Sequence, residues 1–303
     1  GIRVRVGTKI MTNSASTSAP VWFNESHRDR LTTLSQKHLD DTAFFVYDLD
    51  ALQQHLEELQ QQDVVKLWYA VKANPLSAII RTLAKTGFNF DVASSGELNQ
   101  VLKQGIDADK VLNTGPAKSR RQISEFLYKG VKIFVVESVN QLQWLNEAAQ
   151  ARDVVPQVLL RVQLRWPDDE KNPLGGNTLT PFGLSTEDWS GISLEDYQSV
   201  DVAGLHIFQW GNMLDNERMK SLWSQMVSPL KSLANDLGIN FRILDLGGGL
   251  GIDYVNSEKS LSWPQIIDDL ATIKASAGVD EIWLELGRFA VAACGYYLAP
   301  VVD

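Results

Sequence analysis

From Phe44 to Leu286 short runs of β-branched and aromatic residues alternate with longer segments whose apolar positions recur every three or four residues. The short runs predict strands at Phe44–Leu49, Leu67–Val71, Phe88–Val92, Lys110–Asn113, Ile133–Val136, Gln157–Gln163, Val202–Ile207, Phe241–Leu246 and Glu281–Leu284. Amphipathic segments predict helices at Ala51–Gln61, Leu76–Thr86, Glu97–Gln104, Arg120–Lys129, Val139–Arg152, Asp215–Leu237 and Trp263–Ser276. Strand alternating with helix specifies parallel pairing through right-handed crossovers. Eight such strands from Leu67 onward predict a (β/α)8 TIM barrel, with the Phe44 strand and its helix as an N-terminal lead-in. The alternative is an open doubly wound sheet, but the Asp48–Leu52 turn lacks the glycine fingerprint usual there. Arg165–Gln198 is longer than a plain crossover and holds Pro167, Pro173, Gly175, Gly176 and Pro181, so it is expected to be a large loop on the C-terminal face of the barrel.

The chain of 303 residues carries 28 basic and 37 acidic side chains, a net charge of −9. With no long Lys/Arg run, this argues against a nucleic-acid surface. No apolar stretch approaches the roughly 18 residues that cross a bilayer. A single cysteine, Cys294, excludes an intrachain disulfide and a cysteine-cluster metal site, fits a cytoplasmic location, and reads as a small core residue. Residues 1–20 have basic residues but no apolar centre, unlike a secretory leader, and Met11 could be a native start.

In a barrel of this kind chemistry sits at the C-terminal ends of the strands. Lys72 closes the first apolar strand, Asp91 ends the second, Arg161 lies in the fifth, and His206 ends the sixth. The seventh runs into Gly247, Gly248 and Gly249, and the eighth into Glu285-Leu286-Gly287-Arg288. Taken singly, Lys72 could be a lysine reaching for solvent and His206 a hydrogen-bonded core histidine. Together they ring one barrel mouth with an amine, an imidazole, carboxylates, guanidiniums and a glycine loop. Adjacent glycines let backbone N–H groups approach an anion, and Arg288 offers a charge-assisted clamp. A desolvated lysine beside a phosphate cradle suits covalent carbonyl chemistry. Two enzymes fit on these grounds: one dependent on pyridoxal phosphate, or an aldolase whose lysine attacks a phosphorylated sugar. No metal site is expected.

The segments Tyr69-Ala70-Val71-Lys72-Ala73-Asn74, Phe90-Asp91-Val92-Ala93-Ser94-Ser95-Gly96-Glu97-Leu98, Gly204-Leu205-His206, Asp245-Leu246-Gly247-Gly248-Gly249 and Glu285-Leu286-Gly287-Arg288 occur in the order and spacing of a known set. They resemble the alanine-racemase-fold pyridoxal-phosphate decarboxylases, the group of diaminopimelate, ornithine and arginine decarboxylases, over residues 44 to 303. The resemblance implies Lys72 as the lysine that holds pyridoxal 5'-phosphate and His206 as the imidazole stacked on its ring. It implies Gly247, Gly248 and Gly249 with Arg288 at the phosphate, Glu285 at the pyridine nitrogen, and Asp91 and Arg161 as supporting polar groups. A carboxylate at that nitrogen favours decarboxylation, whereas racemases of this fold place an arginine there.

Three departures from the family pattern stand out. The usual glycine-serine stretch after the histidine reads Ile207-Phe208-Gln209-Trp210-Gly211-Asn212, leaving Gln209 or Asn212 to replace the serine; and Leu286 replaces a proline. The family continues into a C-terminal β-domain that completes a neighbouring subunit's site in a dimer. Only its opening strand, Gly295–Val302, is expected here, so this second domain is largely absent. The resulting division is 1–43 as tail and lead-in, 44–288 as cofactor-binding barrel, and 289–303 as the start of the second domain. The implied substrate is an amino acid of the diaminopimelate, ornithine or lysine type, or an unusual or carrier-bound one. A racemase, or a cofactor-binding fragment or regulator without turnover, is the alternative.

Overall fold

The computed structural model describes residues 4–6, 9–11, 25–38, 43–165, 180–254 and 260–299. Near the N-terminus β1 (Val4–Val6) and β2 (Lys9–Met11) pair antiparallel. Helix α1 (Glu25–Lys37) precedes β3 (Phe44–Tyr47), which pairs antiparallel with the last strand, β13 (Gly295–Leu298). Leu31 of α1 is buried against Tyr296 and Leu298 of that pair. The sequence reading missed α1, because Leu31 and Leu34 are its only large apolar residues.

Between these elements lies the barrel. Its strands are β4 (Val65–Ala70), β5 (Asn89–Val92), β6 (Val111–Asn113), β7 (Ile133–Val136) and β8 (Gln157–Gln163), then β10 (Asp201–His206), β11 (Ile243–Asp245) and β12 (Glu281–Leu286). Each pairs in parallel with its neighbours, and β10 with β8 closes the ring, as the strand pattern predicted. Closure excludes the open doubly wound sheet. Helices α2 (Leu49–Leu59), α3 (Ser77–Lys85), α4 (Ser95–Leu102), α5 (Arg120–Tyr128) and α6 (Val139–Arg152) surround the first half. The second half has α7 (Thr186–Ser190), α8 (Asn216–Leu237) and α9 (Trp263–Ala277), and α10 (Arg288–Val291) follows β12. Serines cap several of these helices just past the strand ends: Ser94, Ser119, Ser138 and Ser262 each accept a backbone N–H three residues on. Gln141 reaches back to accept Glu137 N at 2.8 Å, a variant of the capping box that fixes the residue just after β7.

The expected loop Arg165–Gln198 is not uniformly irregular. Residues 180–198 form β9 (Leu184–Ser185), which extends the sheet beside β8, then α7 and a 3-10 turn at Leu194–Asp196. Trp189 of α7 is buried and its indole donates to Arg161 O at 2.8 Å. Pro167, Pro173, Gly175 and Gly176 lie outside the described residues.

The barrel interior is layered. Trp68, Leu112, Ile133, Val135, Leu159, Ala203, Ile243 and Trp283 make a sealed apolar cluster inside it. Trp68 and Trp283 pack at 4.8 Å between ring centres, and Lys66 lies over both rings at the lower end. Side chains alternate along a strand, so the next inward position is two residues further toward the C-terminal end. That step leads from Trp283 to Glu285, Ile243 to Asp245, Leu159 to Arg161, Val135 to Glu137 and Leu112 to Thr114. An apolar layer thus carries a polar one directly above it.

The β10–β11 contact leaves no room for a side chain at Gly204. A Cβ on Gly204 would stand 1.8 Å from Ile243 O, at the place where the β10 register shifts. Gly204→Ala is expected to cost about 3 kcal/mol or more, measured by urea unfolding, because the backbone cannot withdraw without parting two strands.

Candidate active site

The polar layer forms the floor of a cavity of ≈ 1270 Å³ at the C-terminal mouth of the barrel. Lys72, Asp91, Thr114, Arg161, His206, Glu285 and Arg288 all line it. Every sequence-predicted site residue except Gly247 therefore reaches one cavity. Lys72 stands on the 3-10 turn Val71–Ala73 that ends β4, and Arg288 follows Gly287 at the end of β12; both are exposed to the cavity. Among the described residues neither cation has a hydrogen-bond or ion-pair partner.

The floor is a dense buried cluster. His206 Nε2 lies 2.9 Å from Glu285 Oε2 and 3.9 Å from Asp245 Oδ1. Arg161 donates to Glu137 Oε1 at 3.1 Å and to Phe208 O at 3.3 Å, with the Phe182 and Phe208 rings on its faces. Thr114 donates to Asp91. Lys118 is buried and donates to Gly115 O, bracing the loop that carries Thr114.

Four carboxyls in so small a dry volume cannot all ionise. Burial, with the nearby Glu285 charge, pushes Asp91 well above the usual carboxylate range, against the pull of Thr114 and Lys72. Asp245 is raised in the same way, by burial and Glu285. Glu285 goes the other way. Burial alone would push it up, but the charge and hydrogen bond of His206, with Asp245 and Arg161, outweigh this and hold it down at about 2. Asp245 Oδ2 has no partner as a carboxylate oxygen; protonated, it can donate to Glu285 beside it. Burial also lowers the Lys118 amine to about 8, against the pull of Glu137 and Asp91.

The glycine loop sits beside this cluster, and Gly248, Gly249, Leu250 and Gly251 line the cavity. Gly247 is buried beneath them with φ +65°, where a Cβ would stand 2.6 Å from that of Phe208. Its carbonyl accepts Glu285 N, while its N–H donates to Asp245 Oδ1, both at 2.8 Å. The Gly248, Gly249 and Leu250 N–H groups have no acceptor among the described residues. Of the two candidates for the missing serine, Gln209 is spent elsewhere. It is buried and bridges Leu164 N and O at 2.7 and 2.9 Å. Asn212 lines the cavity with φ +49°. Leu286, where the family pattern has proline, simply continues β12 opposite Tyr69. Cys294 is buried, its thiol donating to Val291 O at 3.1 Å and pushed up to about 11 by burial.

Sequence reading passed over Thr114, Lys118, Glu137 and Phe182, and it quoted Asp245 and Phe208 without giving either a role. Glu137 follows an apolar strand run just as Lys72 does, so the strand-end test applied to β7 finds it. Lys118 carries no such signal, since it lies on a loop between β6 and α5.

At the mouth of this closed parallel barrel Lys72, Arg288 and the N–H groups of Gly248, Gly249 and Leu250, without partners among the described residues, surround the buried Glu285 carboxyl. The chain belongs to the pyridoxal-dependent decarboxylase family: residues 49–292 match its pyridoxal binding domain. It is 26% identical over 265 residues to the 2-[(L-alanin-3-ylcarbamoyl)methyl]-2-hydroxybutanedioate decarboxylase of Staphylococcus aureus, covering 86% of this chain and 66% of that protein. It is 29% identical to diaminopimelate decarboxylase of Bacteroides thetaiotaomicron, covering 86% and 70%. The solved diaminopimelate decarboxylase of Helicobacter pylori in complex with L-lysine superposes with a TM-score of 0.76 at 25% identity, over 88% of this chain and 68% of that one. The chain thus spans about two thirds of the length of its relatives. Among the described residues no helix is long and apolar enough to cross a membrane.

Asp245→Asn tests the crowded floor. Folding favours the protonated form of a carboxyl that is pushed up, so Asp245 weakens the native state increasingly as pH rises above its unfolded value. The amide keeps the acceptor for Gly247 N and supplies a donor toward Glu285. The variant is expected to stabilise the cofactor-free chain by roughly 1–3 kcal/mol at about pH 7 and by almost nothing near about pH 3, in paired urea titrations. Destabilisation that is large at about pH 7 and fades near about pH 3 would show that Asp245 is ionised and needed as an anion.

Proposed function

We propose that this chain is the cofactor half of a pyridoxal-phosphate-dependent amino-acid decarboxylase. The observation that carries this reading is Glu285, a buried carboxyl at the cavity floor whose Oε2 lies 2.9 Å from His206 Nε2. That contact favours its charged form, while burial pushes Asp91 and Asp245 up. The residues present fit the cofactor on three counts. Lys72 supplies an unpaired amine for its carbonyl, Arg288 with the open N–H groups of Gly248, Gly249 and Leu250 suits its phosphate, and Glu285 suits a protonated pyridine nitrogen.

Pyridoxal phosphate, when bound, supplies a carbonyl that condenses with amines and a ring that accepts the electron pair left by departing CO2. Lys72, whose amine faces the cavity, would hold the cofactor through its carbonyl and, once released, would be placed to carry a proton. Glu285 would face the pyridine nitrogen and favour a proton there, which would strengthen electron withdrawal and favour decarboxylation over racemisation. His206 holds Glu285 through its Nε2 and presents the rest of its ring to the cavity, with Nδ1 unpartnered. Asp91 and Arg161 complete the floor, and the layered apolar interior keeps water from entering below.

On the same reading the substrate is a free or carrier-bound α-amino acid, of the diaminopimelate, ornithine or lysine type or an unusual one. The longer protein is a cytoplasmic homodimer with a C-terminal β-domain beginning near residue 289. Borohydride trapping followed by peptide mass spectrometry is expected to place the pyridoxyl group on Lys72. In the full-length enzyme Lys72→Ala should lower CO2 release from the responsive amino acid by about 10³-fold or more. Label on another lysine would refute the Lys72 assignment. Exchange of the Cα hydrogen without CO2 release would make the protein a racemase.

A further inference from the structure

We infer that Trp210 is a positioning residue for the phosphate site, the side chain that turns the middle peptide of the glycine loop toward the cavity. This rests on the cofactor reading above and names a residue that reading does not use. Trp210 is 1% exposed, and its indole N–H donates to Gly248 O at 3.1 Å. The carbonyls on either side are held by backbone donors: Gly247 O accepts Glu285 N, and Gly249 O accepts Met213 N, each at 2.8 Å. Three consecutive carbonyls are thus anchored to protein donors, and only the middle one depends on a side chain.

A trans peptide carries its N–H opposite its C=O. Anchoring the carbonyls of Gly247, Gly248 and Gly249 therefore directs the N–H groups of Gly248, Gly249 and Leu250 away from those anchors. These three N–H groups are the ones with no acceptor among the described residues. Glycine permits the peptide between Gly248 and Gly249 to rotate at low cost, so a lock is needed if it is to stay in register. Contact as well as the hydrogen bond supplies it. A Cβ on Gly249, at φ +90°, would stand 2.5 Å from Trp210 Cδ1, so the indole occupies the space a side chain there would need. Phe208 meets Trp210 edge to face at 6.3 Å and presses on Gly247 in the same way. Where the family pattern has a glycine-serine stretch, this chain has an aromatic pair. The serine's direct contribution is replaced by a more rigid backbone cradle.

Trp210→Phe keeps a ring in the core and removes the N–H donor together with part of the indole's bulk, so it is read beside the packing control Phe208→Leu. The experiment compares the dissociation constants of pyridoxal phosphate and of pyridoxal, which lacks the phosphate, for wild type and variant by equilibrium dialysis. Loss of one neutral hydrogen bond is expected to weaken pyridoxal phosphate about fivefold and leave pyridoxal unchanged. Equal weakening of both ligands would mean a general packing role, and no change in either would mean that the loop holds itself; both outcomes overturn the inference. A wild type with no preference for the phosphorylated ligand would overturn the cofactor reading and this inference together. Phe208→Leu, which thins the packing but leaves the Trp210 donor, is expected to retain at least half of the preference for pyridoxal phosphate. Its complete loss there would assign the effect to packing rather than to the hydrogen bond.

Discussion

Everything at the barrel mouth depends on the placing of more acid than base in a layer that water reaches from one side only. Asp91, Glu137, Asp245 and Glu285 share that layer with Arg161, Lys118 and His206, and the apolar layer beneath has its tryptophans packed and Lys66 closing the lower end. In a region of low dielectric the unpaired anion is the costly species, so the cluster sorts itself by partner number. Glu285 has His206 within hydrogen-bond reach and Arg161 nearby, and it takes the charge; Glu137 takes the direct bond to Arg161. Asp91 and Asp245 have mainly neutral donors and are pushed toward neutrality. Sorting by partner thus favours the charged form of Glu285 at a fixed point beside His206.

The cations outside the cluster make sense on the same ground. Lys72 and Arg288 make no ion pair with the floor among the described residues, because each stands just beyond its strand, Lys72 on the 3-10 turn after β4 and Arg288 at the start of α10 after β12. One further step along β4 takes the chain out of the packed interior and into the cavity. Residues on the strands build the field, and residues on the turns remain free to meet a ligand. Barrels of this kind can therefore separate scaffold from reactive group by two or three residues of one segment.

Much of this was legible in the chain. Strand spacing and helix periodicity predict the eight-stranded barrel to within two or three residues at most element ends, because parallel strands buried on both faces leave dense apolar runs. Asking which polar residues end those runs finds Lys72, Asp91, Arg161, His206, Glu285 and Arg288. What it does not reach are relations between strands. His206 and Glu285 are 79 residues apart and meet only because β10 and β12 flank β11 in a closed ring. Nor does it say which of several like carboxyls keeps its charge, since that depends on neighbours contributed by five different strands. Gln209 shows a second limit. Its place after His206 suggested a ligand contact, yet one residue's difference in facing direction sends it to the backbone of Leu164 instead.

The aromatic stretch beyond His206 shapes the loop beside it. Past the end of β10 the chain is no longer strand: Phe208 lines the cavity with His206, Gln209 turns to Leu164, and Trp210 is buried against the glycine loop. Phe208 covers Arg161 and Gly247, and Trp210 covers Gly248 and Gly249. Bulk in these two rings demands its absence in the loop, which is why Gly247 and Gly249 adopt positive φ and tolerate no Cβ. The glycines are thus required twice, by the aromatic residues behind them and by the open N–H groups in front. Open N–H groups and core packing are two consequences of one backbone conformation, and a change that relaxes either must disturb both.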